Sequence, residues 1–243
     1  MQKRVNLSEI LENIKIYADG ADFKSAREMI EKYNVKGFTT NPSLMRKAGI
    51  ANYESFAREF VSIVKPLPVS LEVFADDIKE MERQARIISD LGENIYVKIP
   101  VINTEKISMC PLIKKLTEDG IKINTTAVFT KNQIDSLYDC LDSSTNIIIS
   151  IFAGRIADAG YNPEENIGYA VQKFKDKQNI EILWASTREA YNLIQARNAG
   201  AHIITVQNSI ITKLNCMGKD LEEFSRDTVF QFRNDALESR YII

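Results

Sequence analysis

Eight short runs rich in Ile, Val and Leu, each followed by a stretch of helical periodicity, recur along the chain at intervals of about 25 to 35 residues, and this alternation constrains the fold more than any other feature. The runs lie at 15–18, 36–40, 69–74, 95–101, 122–129, 146–152, 180–186 and 202–207. Helical patterns follow, for example at 23–33, 78–91, 112–119, 164–174 and 189–198, with Pro111 and Pro163 at first-turn positions where a missing N–H costs nothing. Repeated βα units give parallel strands covered on the outside by helices. Eight of them in 243 residues favour a closed α/β barrel, the (β/α)8 TIM barrel, as a single domain over 1–243. No Pro/Gly/Ser-rich linker marks a second domain, and what repeats is a unit of structure, not a sequence motif, which argues against a solenoid. Two helices are expected to frame the barrel, a short one at 7–14 and a longer one at 219–239. The second carries Leu221, Phe224, Val229, Phe232 and Leu237, which can pack on the barrel or on a neighbouring subunit.

A formal net charge of -2 argues against a broad nucleic-acid-binding surface, so an anion site must be a local pocket of arginines and the expected partner is a small molecule. No apolar stretch reaches membrane-spanning length and the first residues lack a signal-peptide core, so no membrane partner is expected and the expected location is the cytoplasm. Cys110, Cys140 and Cys216 are too few and too scattered for a disulfide framework or a metal cluster, and are expected to be buried thiols in a reducing compartment. His202 is the single histidine and sits at a strand start, away from the mouth of any barrel site, so it is expected to be structural or at the surface. A histidine-rich zinc site is excluded, no metal is expected, and chemistry falls to lysine, carboxylates, hydroxyls and arginines.

Lys98 interrupts the apolar run Tyr96-Val97-Lys98-Ile99-Pro100. A lysine buried there would lose hydration, which pushes its pKa toward the range where a free amine attacks a carbonyl. Alternatively, its stem crosses an apolar surface while the ammonium reaches water. The parity of the other strands separates the two, because side chains alternate between the barrel interior and the helix layer and barrel sites form at the carboxyl ends of strands. Glu72 shares a face with Ser70 and Phe74, Asn124 with Thr126, Ser150 with Phe152, and Trp184 with Ser186. The first strand ends at Asp19 and the second in Thr39-Thr40-Asn41. Polar groups inside an apolar barrel cost free energy unless paired, so a ring of them around one lysine points to an active site. Arg155 and Arg188 lie just beyond the sixth and seventh strands, where two guanidiniums can fork an anionic group.

These motifs resemble the transaldolase family along almost the whole barrel. The resemblance rests on Tyr17-Ala18-Asp19, Gly37-Phe38-Thr39-Thr40-Asn41-Pro42-Ser43, Val69-Ser70-Leu71-Glu72-Val73, Val97-Lys98-Ile99-Pro100, Asn124-Thr125-Thr126, Ser150-Ile151-Phe152-Ala153-Gly154-Arg155-Ile156 and Ala185-Ser186-Thr187-Arg188. It implies a mechanism without metal or cofactor, in which Lys98 forms an imine with a sugar-phosphate ketone and carbon–carbon cleavage leaves a dihydroxyacetone enamine, in keeping with a place in the pentose phosphate pathway. Asp19 would take the proton of the donor hydroxyl, and Glu72 and Thr126 would hold a catalytic water. Thr39, Asn41, Asn124, Ser150 and Phe152 would line the three-carbon unit, and Ser186, Arg155 and Arg188 would hold the phosphate. The sister activity, a fructose 6-phosphate aldolase releasing free dihydroxyacetone, usually has glutamine at the position of Glu72 and tyrosine at that of Phe152, so both residues point to transfer. Some departures leave a non-standard sugar open. Gly20 stands where a hydroxyl residue is usual, Trp184 replaces a small inward-facing residue, Thr187 replaces an aromatic, and the loop at 102–110 is longer than usual and expected to shape the pocket. A barrel that binds a sugar phosphate without turnover is the reading from another class. Short members of the family are often rings, which implies a homo-oligomer.

Overall fold

The computed structural model describes residues 13–142 and 144–240. The leading helix expected at 7–14 lies outside them except for residues 13 and 14, which bend into the first strand. Eight parallel strands close into one barrel in sequential order: β1 (Lys15–Asp19), β2 (Gly37–Thr39), β3 (Val69–Glu72), β4 (Ile95–Pro100), β5 (Ile123–Val128), β6 (Ile147–Ile151), β7 (Ile180–Trp184) and β8 (Ile203–Gln207), with β8 pairing back onto β1. The intervening helices are α1 (Phe23–Tyr33), α2 (Pro42–Lys47), α3 (Tyr53–Val64), α4 (Ile78–Ser89), α5 (Cys110–Glu118), α6 (Lys131–Cys140), α7 (Ala153–Asp158), α8 (Pro163–Lys173), α9 (Asn192–Asn198) and α10 (Asn208–Ile211), and α11 (Leu221–Ser239) trails the barrel. The fold is the (β/α)8 barrel that the alternation predicts.

The helices start where the sequence offers a side-chain oxygen to orphan amides. Asp22 accepts from Ser25 N at 2.6 Å and Asn52 from Ser55 N at 2.9 Å, while Thr130 and Gln133 form a reciprocal capping box on α6. Strands end earlier than their apolar runs. Residues expected to prolong β3 and β7, such as Phe74 and Ser186, have left the ladder, because the carboxyl ends must open into loops for side chains to converge. The α9 helix also begins late, at Asn192 instead of 189, since the Asn192 side chain accepts from Arg188 N (2.9 Å) and Glu189 N (3.1 Å) and holds those residues in a turn.

Strand parity sorts the core into two shells. Outward residues such as Phe38, Leu71, Val97, Ile149, Ile182 and Val206 pack with the helices in a large cluster. Tyr17, Ile148, Leu183, Ala185 and Ile203 form a small inner one. Inside, the Tyr17 ring lies so closely over its ladder partner Gly37 that a Cβ there would lie 2.5 Å from it, which only glycine avoids. Trp184 corrects its expected placement: Leu183 and Ala185 take the inward positions of β7, so Trp184 faces the helices and is not in the site. The thiols also differ from expectation. Cys110 is buried and Cys140 half-buried, but Cys216 is exposed, because it lies in the short 3-10 turn after α10, beyond the layer of barrel helices. His202 is structural, its Nδ1 accepting from Ile182 N at 2.9 Å at the amino end of β8.

Candidate active site

At the carboxyl ends of the strands lies a cavity of about 580 Å³, walled by Asp19, Thr39, Asn41, Glu72, Lys98, Thr126, Ser150, Phe152, Arg155, Ser186 and Arg188. Every residue predicted for the site reaches its wall except Asn124. Ladder register places the centre, since Glu72 pairs with Lys98 and Lys98 with Asn124 across three adjacent strands. All three point inward, and the Lys98 Nζ, on a residue only 6% exposed, donates to Glu72 Oε2 at 3.0 Å and to the Thr40 carbonyl at 2.9 Å. Burial with a specific carboxylate partner is what distinguishes this lysine from one whose ammonium reaches water. Asn124 lies beneath, fully buried, donating to Ser70 Oγ (2.9 Å) and accepting from Ser150 Oγ (2.7 Å), a satisfied polar layer supporting the floor.

Asp19 faces Lys98 from β1. The Thr39 hydroxyl donates to Asp19 Oδ1 at 2.7 Å, so the 2.6 Å contact of Thr39 with Thr205 has Thr205 as the donor. Burial pushes the Asp19 carboxyl above its ordinary range and the Glu72 charge adds to this, while Lys98 and the Thr39 hydroxyl pull the other way. Thr126 is 2% exposed and its hydroxyl has no partner among the described residues, although it borders the cavity one ladder step above Lys98. A buried, unpartnered hydroxyl on a residue at the wall of a polar cavity is suited to a water or a substrate oxygen.

The anion end is built by a close approach of β6 and β7. A Cβ at Gly154 would lie 1.6 Å from the Ser186 carbonyl, and Ser186 itself is left-handed (φ 65°). This contact seats Arg155 and Arg188 on one side of the mouth. They are not equivalent: Arg155 lies over the Phe152 ring at 5.3 Å, while Arg188 Nε donates to both Asp158 oxygens at 3.0 and 3.1 Å. The guanidinium beside it holds the Asp158 carboxyl below its usual range. Thr187 lines the cavity as well, with its hydroxyl donating to the Thr205 carbonyl at 2.7 Å.

The loop at 102–110 does not wall the cavity, contrary to expectation. Ile102 and Ser108 bridge, and Thr104 binds Asp76 through its amide (2.9 Å) and hydroxyl (2.6 Å), folding the loop onto the connection after β3. Sequence reasoning missed Ser43, Lys47, Thr205 and Gln207, which do line the cavity. Parity on β8 would have found Thr205 and Gln207, which are in phase with the inward Ile203. Lys47 gives no such signal, because it reaches the mouth from the last turn of α2.

Fold and site together define a class, the (β/α)8 barrels whose cavity is organised around a buried, ion-paired lysine. Within that class the chain belongs to the transaldolase/fructose-6-phosphate aldolase family, whose model matches residues 16–240. Probable transaldolases are similar over most of their length: that of Chelativorans sp. is 36% identical over 219 residues (88% of this chain, 96% of the relative) and that of Herpetosiphon aurantiacus 35% over 202 (83% and 87%). The crystal structure of 2,3-dimethylmalate lyase, a PEP mutase/isocitrate lyase superfamily member, superposes with a TM-score of 0.54 at 15% identity, covering 91% of this chain and 87% of that one, a likeness of fold alone. Among the described residues no helix is long and apolar enough to cross a membrane.

Proposed function

We propose that the protein is a transaldolase that moves a dihydroxyacetone unit from a ketose phosphate to an aldehyde through an imine on Lys98. The observation that carries this reading is the placement of the Lys98 amine, buried and bonded to Glu72, in one cavity with Asp19 and with Thr126, whose buried hydroxyl has no partner among the described residues. Glu72 Oε2, 3.0 Å from Nζ, is placed to receive the proton that the amine gives up. The free amine adds to the C2 carbonyl, and loss of hydroxide as water, with Glu72 and Thr126 relaying the protons, leaves the iminium. Asp19 removes the C4 hydroxyl proton, the C3–C4 bond breaks, its electron pair enters the iminium to give the enamine, and C4 departs as an aldehyde. A raised carboxyl pKa brings Asp19 nearer the working pH, which suits a general base. The acceptor aldehyde reverses these steps and water releases the product. Arg155, Arg188 and Ser186 bind the phosphate, Asn41, Thr39 and Ser150 the hydroxyls, and Asn124 acts from below through Ser150.

Phe152 favours transfer over release, because phenylalanine offers the enamine carbon no proton and leaves it waiting for an aldehyde. Borohydride with a ketose phosphate should trap an adduct on the Lys98 peptide in the wild type and none in Lys98→Met, which keeps the stem and removes only the amine. With saturating acceptor, Phe152→Tyr should raise the ratio of free dihydroxyacetone to transferred product. Dominant release of dihydroxyacetone by the wild type, with an unchanged ratio in Phe152→Tyr, would replace the transaldolase with the aldolase.

A further inference from the structure

We propose that a side chamber beside Asp19 receives the substituent of the acceptor aldehyde and equips this enzyme for aldehydes bearing a bulky, uncharged, largely apolar group; this rests on the transaldolase reading of the Lys98 cavity. The chamber, about 310 Å³, opens between β1, α1, α2 and α10. Its walls are mainly apolar, with Ala21, Met29, Phe38, Leu44, Ala48 and Phe60 among them. It shares Asp19, Leu44, Lys47 and Gln207 with the Lys98 cavity, so the two spaces meet at the carboxylate where the aldehyde carbon arrives and leaves.

Gly20 keeps the chamber open. It borders the space directly after Asp19, an added Cβ there would meet nothing within 4 Å, and its φ lies outside the left-handed region, so both the backbone and the free space admit a side chain at the edge of the chamber. A cavity of about 150 Å³ already takes a benzene ring; twice that volume accommodates a ring with its linker. The polar groups set the chemistry. The Asp22 and Asp19 carboxylates border the chamber together with the single Lys47 ammonium, so its charged lining carries no net positive charge to draw a phosphate. Asn208 donates through Nδ2 to Ser25 Oγ at 3.4 Å, while its Oδ1 is buried without a partner among the described residues. A hydroxyl or amide hydrogen on the incoming group would satisfy that oxygen.

The test compares glycolaldehyde with 3-phenylpropanal as acceptors from fructose 6-phosphate, in the wild type, Gly20→Val and Ala48→Leu. Both positions line the chamber and neither lines the Lys98 cavity. The expected result is a loss of roughly tenfold or more in kcat/KM for 3-phenylpropanal in both variants, the scale of pocket discrimination between apolar groups, with glycolaldehyde changed by less than about twofold on the same scale. Parallel losses on both aldehydes, or no loss on either, would overturn the chamber. Borohydride trapping on Lys98 reports the transaldolase reading separately. If no adduct and no transfer are seen, saturation-transfer NMR with 3-phenylpropan-1-ol decides: a signal in the wild type that disappears in Gly20→Val supports the chamber, and no signal in the wild type rejects it.

Discussion

Asp19 carries a conflict between folding and chemistry. Its carboxyl is pushed up by burial, so the folded state binds its proton more tightly than the unfolded chain, whose value is 3.8. A raised folded pKa contributes stability that is fully present below the unfolded value and is lost as pH rises through the folded one. Asp19→Asn should therefore be more stable than the wild type at neutral pH, with the gap in Tm widening as pH is raised from the unfolded carboxylate value of 3.8, and it should be nearly inactive. A constant gap across that window would show that burial of this charge is not what shifts the group. The two arginines offer a second comparison. Arg155 is free of a carboxylate partner among the described residues while Arg188 is already bonded to Asp158. Arg155→Ala should weaken binding of a phosphorylated donor by about 1.5 to 3 kcal/mol, the scale of a charged hydrogen bond, and leave an unphosphorylated ketose unaffected. KM values for the phosphorylated and unphosphorylated pair read this directly.

Among the elements, the junction of β6 with α7 is the most constrained. Gly154 lies under the Ser186 carbonyl where no Cβ fits, and the donor 3.3 Å from the Ala185 carbonyl is its own amide. Gly154→Ala must push the two strand ends apart, separating Arg155 from Ser186 and Arg188. The expected outcome is a folded but less stable barrel, by about 1 to 3 kcal/mol as for overpacking elsewhere, with weaker phosphate binding and with imine formation on Lys98 retained, measured by denaturant titration and borohydride trapping. Lys98 stands two strands away on β4, so its ion pair with Glu72 does not pass through that junction.

For the whole molecule, α11 is the unsettled part. It runs for 19 residues with none buried, and it displays Leu221, Val229, Phe230, Phe232 and Leu237, each more than half exposed. Monomeric proteins rarely leave so many large apolar side chains of one helix in water, and the helix does not fold back on its own barrel, one of the two placements open from sequence. We propose that it packs on a neighbouring copy of the chain. Phe230→Glu with Phe232→Glu should lower the molecular mass seen by light scattering from an oligomer toward 27.6 kDa; an unchanged mass would place the interface elsewhere, and a monomeric wild type would dismiss it.

The sequence by itself determined the barrel and the gathering of most of its polar interior side chains at one end. Period-two runs alternating with period-3.6 stretches admit few architectures, and parity alone brings Asp19, Glu72, Lys98, Thr126 and Ser150 to one interior, because alternation along a strand is a local property. Tertiary structure decided what depends on neighbours distant in sequence: that Asn124 supports the cavity from below, that Arg188 is tied to Asp158, that Trp184 faces the helices, that the loop at 102–110 folds away, and that Lys47 reaches the mouth from a helix. Parity is counted from where a strand begins and ends, and in β7 the inward phase belongs to Leu183 and Ala185, a choice made by packing inside the closed barrel, which no short window of sequence contains.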